Sequence, residues 1–304
     1  MNGLINVLKP PGLSSHDVVN RIRRLAGMSK VGHTGTLDPG AAGVLLVCCG
    51  HATRLIEYLD HHKRYRAEIT FGMTSSTGDS FGQLAAGEAG GLSEERLREI
   101  LPLFTGEISQ VPPMTSAVRH QGKKLYELAR AGRVVERRAR AVQIHSLAVA
   151  GWYKDPERPR ALLDISCSAG TYIRTLCQDI GEKLGCGAYM SFLLRTGVGD
   201  HTIGSSLTLE ELDQMAREGR LGEALAAVER VLSFLPAVGL KEGACRSVCS
   251  GATLFPPGVK DAPGGIGEGD LVALEWEGRY VAVARAFIDD NKRLCFRPEK
   301  VIAG

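Results

Sequence analysis

Residues 30–50 constrain this chain more than any other stretch. They read Lys30-Val31-Gly32-His33-Thr34-Gly35-Thr36-Leu37-Asp38-Pro39-Gly40-Ala41-Ala42-Gly43 and run directly into Val44-Leu45-Leu46-Val47-Cys48-Cys49-Gly50. The glycines let the backbone take positive φ and approach a ligand closely, at an entropic cost. Pro39 fixes its own φ and biases Asp38 toward extended geometry. The apolar run is long enough for one buried strand, so the loop is anchored on a rigid element. A constrained loop at a sheet edge thus presents a single carboxylate, and functional side chains concentrate on such loops.

Generic chemistry offers three readings of this stretch. Aspartate is among the commonest turn residues, so a glycine-rich surface turn is the plain one. A phosphate-cradling loop would end in Lys-Ser or Lys-Thr and enter a helix; this stretch has no such ending and enters a strand. The dinucleotide fingerprint fails for the same reason. On residue chemistry alone the turn reading leads.

The rest of the chain bounds the alternatives. Its 304 residues can hold one large domain plus a small one. With 44% hydrophobic and 23% charged residues, disorder is not the default. A net charge of +3 places any nucleic-acid binding in a local patch. No apolar run is long enough for a bilayer, and no basic-then-apolar signal segment opens the chain, so a cytoplasmic protein is expected. Eight cysteines in a chain this long point to reduced, mostly buried thiols. Cys245-x-x-x-Cys249 has no second ligand pair, and a zinc site is not expected there.

In chain order, Leu4 to Leu8 reads as a strand ending at Lys9-Pro10-Pro11-Gly12. Ser14 or Ser15 then caps a helix that buries Val18, Val19, Ile22 and Leu25. His51 to about Asp60 reads as a helix. From Tyr65 the alternation of Tyr65, Ala67, Ile69 and Phe71 marks a half-buried strand. Gly72 to Gly91 is loop or hairpin, and Leu92 to Leu101 a short helix capped by Ser93. The segment Arg119-His120-Gln121-Gly122-Lys123-Lys124, with Arg130, Arg133, Arg137, Arg138 and Arg140, is the most basic. It is either a solvated amphipathic helix burying Leu125, Leu128 and Ala129, or a phosphate-binding surface; clustered charge favours the second. Val142 to Val149 and Ala161 to Cys167 read as paired strands. Thr171 starts a helix through Leu184 with Arg174 in its first turn, a place where a cation needs a partner such as a carboxylate. Tyr189 to Thr196 is a strand, Thr208 and Glu211 form a capping box, and a second helical stretch covers Leu221 to Val231. Past Pro236, short apolar runs between glycine and proline clusters indicate a small all-β domain.

Gly32-His33-Thr34-Gly35-Thr36-Leu37-Asp38-Pro39 closely resembles the catalytic motif of the TruB family of tRNA pseudouridine synthases. Lys9-Pro10-Pro11-Gly12 with Ser14-Ser15, then Lys63-Arg64-Tyr65, Gly170-Thr171-Tyr172-Ile173-Arg174 and Leu193-Leu194-Arg195 resemble further family motifs in the family's order, although Leu194 stands where relatives often carry a polar or basic residue. Gly122-Lys123-Lys124-Leu125 with Tyr126 to Gly132 resembles its RNA-gripping insertion, about 105–140. The C-terminal runs, ending Arg297-Pro298-Glu299-Lys300-Val301, look like a PUA-type RNA-binding module. The resemblance implies an α+β fold: a catalytic domain at 1–232 with a mixed, largely antiparallel sheet flanked by helices, and a small all-β PUA-like domain at 236–304.

It also implies the reaction. Uridine becomes pseudouridine when the N1–C1′ bond breaks, the base turns and C5 joins C1′, with no metal, cofactor or nucleotide. Asp38 would be the carboxylate at the sugar–base junction, Arg174 its orienting partner, and Tyr65 would lie against the base. A facing arginine should favour the ionised carboxylate. Lys9 shapes the site and is grouped with His33, Tyr172, Leu193, Lys123, Lys124 and Arg130 as substrate-binding. The target base must leave its stack, and His33 would fill the vacated space. With only 6% aromatic residues, recognition should rest mainly on RNA shape and backbone contacts. The implied partner is the T-arm stem-loop of tRNA, with uridine 55 as target and the protein a monomer. Two rivals stand beside this reading: an RNA-binding or tRNA-folding protein without catalysis, and a nucleotide-binding enzyme using the glycine-rich loop.

Overall fold

The computed structural model describes residues 1–59, 62–228 and 232–302. Strand β1 (Gly3–Lys9) leads into α1 (Ser15–Ala26), where Ser14 and Asp17 form a capping box and Gly27, at φ 59°, closes the C-terminus in the left-handed conformation. A short β2 (Val31–His33) and the loop around Asp38 follow, then β3 (Ala42–Cys49). Along β3, Val44, Leu46 and Cys48 pack into one apolar cluster and Leu45, Val47 and Cys49 into another. A strand buried on both faces is why the sequence there is continuously apolar.

Residues Gly50–Tyr58 wind as a 3-10 helix rather than the expected α-helix. Gly50 enters it at φ 62°, and the Thr53 hydroxyl donates back to the Gly50 carbonyl at 2.7 Å, a local bond that competes with regular α-helix. Its expected end at Asp60 lies outside the described residues. Next come β4 (Lys63–Phe71), the small hairpin β5 (Met73–Ser75) and β6 (Leu84–Ala86), and α2 (Glu94–Ile100), capped by Ser93. Strand β7 (Gly106–Gln110) precedes a tiny basic hairpin, β8 (Arg119–His120) and β9 (Lys123–Lys124), and the short α3 (Leu125–Arg130). In α3 Leu125 and Leu128 are buried, whereas Ala129 is only half-buried.

The paired strands are β10 (Arg140–Tyr153) and β11 (Arg160–Cys167). Helix α4 (Ile173–Leu184) starts two residues later than expected, because the Thr171 hydroxyl donates to the Ser168 carbonyl and Tyr172 is extended at φ −101° and ψ 106°. Strand β12 (Ala188–Val198) ends in a short return, β13 (His201–Thr202), and α5 (Leu209–Arg217) carries the Thr208–Glu211 capping box. Leu221–Ala224 is a 3-10 turn and Ala226 bridges to Leu4, so the second helical stretch does not form as one helix; residues 229–231 of it lie outside the described residues.

Among the described residues a nine-stranded sheet runs β1-β3-β12-β4-β11-β10-β7, with β2 paired to β3 and β13 to β12. All its pairings are antiparallel except β3 with β12, where Leu194 opposes Ala42 and Arg195 opposes Gly43. The sheet is therefore mixed and largely antiparallel. Helix α4 covers one face with Ile173, Leu176, Ile180 and Leu184, and α1 and α5 cover another region through Val18, Ile22 and Leu212.

A second sheet holds β14 (Ala237–Leu240), β15 (Val259–Asp261), β16 (Leu271–Trp276), β17 (Arg279–Ile288) and β18 (Leu294–Val301). It also carries a helix, Glu242–Cys249, that the strand pattern did not announce. Seven of the eight cysteines are buried and all are free thiols. Burial pushes Cys48 up to about 12 and Cys167 to about 11, which leaves both as inert thiols at neutral pH.

Candidate active site

The loop bearing Asp38 is held from two sides. From the first segment, the Lys9 ammonium donates to the carbonyls of Pro10 (2.9 Å), Leu13 (2.6 Å) and Pro39 (3.3 Å), and the Gly12 N–H donates to Pro39 O at 2.8 Å. The buried Ser15 hydroxyl donates to Leu37 O at 3.1 Å and accepts the Leu37 N–H at 2.8 Å. From β12, the Arg195 guanidinium, with 0% exposure, donates to the carbonyls of Val44 (2.7 Å), Gly35 (3.0 Å) and Thr36 (3.4 Å). Two buried cations thus satisfy carbonyls that a tight, buried loop would otherwise leave unpaired.

The parallel contact of β3 with β12 explains this closeness. Gly43 stands opposite Arg195 at φ 115°, and a Cβ there would lie 2.2 Å from the Arg195 carbonyl oxygen. Only glycine allows the two strands to meet so closely beside the loop.

Asp38 pairs with Arg174, across 136 residues of chain. Arg174 Nε lies 3.0 Å from Asp38 Oδ2 and Nη2 lies 3.5 Å from Oδ1, with the arginine 4% and the aspartate 36% exposed. The remaining guanidinium donors go to Thr77 O at 3.0 Å, Thr115 O at 3.1 Å and the Thr115 hydroxyl, while Asp79 Oδ2 stands 3.6 Å from Nη1. Every edge of the guanidinium is engaged, so Asp38 is oriented by a cation that cannot itself swing. The partners Thr77, Asp79 and Thr115 carried no motif signal.

The arginine does pull the Asp38 carboxyl toward ionisation, but it does not win. Burial raises the Asp38 pKa above its ordinary value and is the largest influence; Arg174 and Lys9 oppose it, and the Asp79 carboxylate adds to the rise. Desolvation therefore corrects the expectation drawn from charge pairing alone. Burial likewise lowers Lys9 to about 8, although Asp38 pulls it back up.

Tyr65, 7% exposed, sits on β4 with Leu37, Ala41 and Leu193 in one apolar cluster. Its register partner is Arg195 and that of Leu193 is Ala67, so both side chains come from adjacent strands behind the Asp38 loop. Burial raises the Tyr65 phenol and Arg195 draws it down. His33 ends β2; its Nδ1 is buried without a hydrogen-bond partner, and burial lowers its pKa. Tyr172 is half-buried at the start of α4, its peptide held by the Gln110 side chain at 3.0 and 3.3 Å. Lys9, expected among the substrate-binding residues, is fully buried beneath the loop, and its ammonium donates to backbone carbonyls.

The basic insertion is tied to this centre. Thr115 bonds Arg174, and the next residues, Ser116 and Val118, accept the N–H groups of Tyr126 and Leu125. Lys124 and Arg130 lie 5.4 and 5.3 Å from the centre of the Tyr126 ring, and Lys123 and Arg130 are exposed. Among the described residues there is no cluster of metal-ligating side chains and no helix long and apolar enough to cross a membrane.

Comparison with known proteins adds three family matches. The N-terminal domain of TruB family pseudouridylate synthases matches residues 23–173, the C-terminal domain of tRNA pseudouridylate synthase B matches 174–233, and the PUA domain matches 236–291. The chain is 52% identical over 310 residues to tRNA pseudouridine synthase B of Pelotomaculum thermopropionicum, covering 100% of this chain and 98% of that one. It is 45% identical over 303 residues to the protein of that name from Moorella thermoacetica, covering 99% of both. Among solved structures, a chain of a Cbf5-Nop10-Gar1 complex superposes with a TM-score of 0.76 at 31% identity, over 99% of this chain and 84% of that one.

Proposed function

This chain belongs to the TruB family of pseudouridine synthases, and from that membership we propose that it converts uridine 55 in the T-arm loop of tRNA to pseudouridine, with Asp38 at the sugar–base junction. The observation that carries the proposal is the Asp38–Arg174 pair at 3.0 Å: one partly open carboxylate, aimed by a buried and fully engaged guanidinium.

The isomerisation breaks N1–C1′ and forms C5–C1′; the C5 proton leaves and N1 gains one, so no electrons are exchanged with an outside group. What the protein must supply is an oriented carboxylate and a walled space in which the detached base turns. Asp38 is the carboxylate. Tyr65 and Leu193, packed together with Leu37 behind the loop, form the wall against which the base rests. The target leaves its stack to reach Asp38, and His33 takes the vacated place. Lys123, Lys124 and Arg130 neutralise RNA phosphates, and Tyr172 lines the approach. Residues 1–232 form the catalytic body and 236–304 the PUA-type RNA-binding module. The protein works as a monomer in the cytoplasm.

The test is turnover on unmodified tRNA transcript carrying tritium at uracil C5. Wild type releases tritium, and Asp38→Asn folds and binds the transcript without release. Normal release by Asp38→Asn would sink the assignment of the carboxylate. Binding without release by wild type would favour RNA folding by the same surface.

A further inference from the structure

A single exposed phenylalanine carries no message by itself. Phe81 is 77% exposed, yet its ring rests on the Asp38 loop: a Cβ placed on Gly40 would stand 2.1 Å from Phe81 Cε2 and 2.6 Å from Cζ. Gly40 is not among the positive-φ glycines, so its backbone makes no demand for glycine. A side chain at Gly40 would meet the ring, which would have to swing away. The Cδ2–Cε2–Cζ edge of Phe81 therefore lies against the backbone two residues from Asp38, while most of the side chain is open to solvent.

The position of the ring is built rather than incidental. The Phe81 N–H donates to Asp79 Oδ1 at 3.0 Å, and the Thr77 hydroxyl donates to the same oxygen at 2.6 Å. The other oxygen of Asp79 is the one 3.6 Å from Arg174. Beside it, the Ser80 hydroxyl donates to Ser191 O at 2.9 Å, and Gly82 packs where a Cβ would meet the Ser75 and Thr77 hydroxyls at 2.4 and 2.5 Å. One carboxylate thus ties the turn that carries the ring to the guanidinium that aims Asp38. Tyr65 is buried behind the loop, whereas Phe81 offers an open aromatic surface in front of it.

We propose that Phe81 is a substrate-binding residue, its ring providing a stacking face for a nucleobase that flanks the target uridine. The inference rests on the function proposed above. A flat apolar ring left in water beside a site for RNA gains by covering a base, and stacking of this kind tolerates any base because each has a π-face. It adds no phosphate contact, so it strengthens binding without adding to the salt dependence.

The test measures affinity for an unmodified T stem-loop RNA across a salt series. Phe81→Ala should weaken binding on the order of tenfold, the usual range for loss of one stacked base being about five- to a hundred-and-sixtyfold. The slope of log affinity against log salt should match wild type. Phe81→Tyr should restore affinity and Phe81→Leu should not, which separates an aromatic face from mere apolar cover. Phe81→Trp should show quenching by the RNA beyond that of the two native tryptophans. Wild-type affinity in Phe81→Ala or Phe81→Leu, or a changed salt slope in Phe81→Ala, overturns the proposal. Tritium release by wild type is measured alongside. Its absence would fail the functional reading, while the affinity ratios would still decide the role of Phe81.

Discussion

At the scale of single residues, the proposed role of Asp38 ties activity to the charge on its carboxyl. Burial and the Asp79 carboxylate raise its pKa, and Arg174 and Lys9 lower it, with burial the largest influence. In the proposed reaction Asp38 acts as the ionised carboxylate, so activity should fall as pH drops through a pKa above the ordinary aspartate value. The acid limb of the kcat profile should therefore lie higher than for an exposed aspartate. Asp79→Asn keeps an oxygen for the Thr77 and Phe81 donors but removes the repelling charge. Its acid limb should shift to lower pH; a limb that stays in place would show that Asp79 does not act on Asp38.

Single elements position these residues by close backbone approach. The Asp38 loop has its shape because β3 meets β12 in parallel at Gly43, with Arg195 reaching across to the loop carbonyls. Gly43→Ala would place a methyl against the Arg195 carbonyl at a φ that side chains rarely adopt. We expect a loss of more than about 1 kcal/mol in urea unfolding. A fall in turnover should accompany it, because the strand pair that shifts is the one holding the Asp38 loop. Stability and turnover equal to wild type would mean that the strands can part without moving the loop.

Across the whole molecule, the small sheet is docked on the catalytic body beside the 3-10 helix Gly50–Tyr58. Leu4, Leu55 and Leu59 pack with Ala273, Val283 and Ile302, and the Tyr58 hydroxyl donates to Glu299 at 3.1 Å near the Lys300–Glu57 pair at 2.9 Å. With a net charge of only +3, attraction for RNA depends on where the charge is concentrated. Replacing Lys123, Lys124 and Arg130 together by glutamine should weaken tRNA binding and reduce its salt slope by up to about 2–3, at roughly 0.7–0.9 for each phosphate no longer neutralised. Unchanged affinity and slope would reduce the insertion to a solvated surface.

Local signals carried much of this architecture. The alternation from Tyr65, the caps at Ser93 and Thr208, and the continuous apolar run of β3 follow from near-neighbour chemistry, and each formed where its residues placed it, while of Ser14 and Ser15 it is Ser14 that caps the first helix. The motif strings also marked Asp38 and Arg174 as a pair, and the two side chains meet. Where local signals compete, the sequence was less legible: a Thr53 bond tightened one helix to 3-10, and the helix Glu242–Cys249 buries too few residues to announce itself among strands. Tertiary structure alone decided who else stands at the site. Thr77, Asp79, Phe81 and Thr115 have no pattern of their own, and the motif that contains Ser15 did not announce its bonds to Leu37. Lys9 and Arg195 are cations that composition would place in water, yet both are fully buried. Their burial is tolerable only where several carbonyls from distant segments converge on one charge, and that convergence exists only in the folded chain.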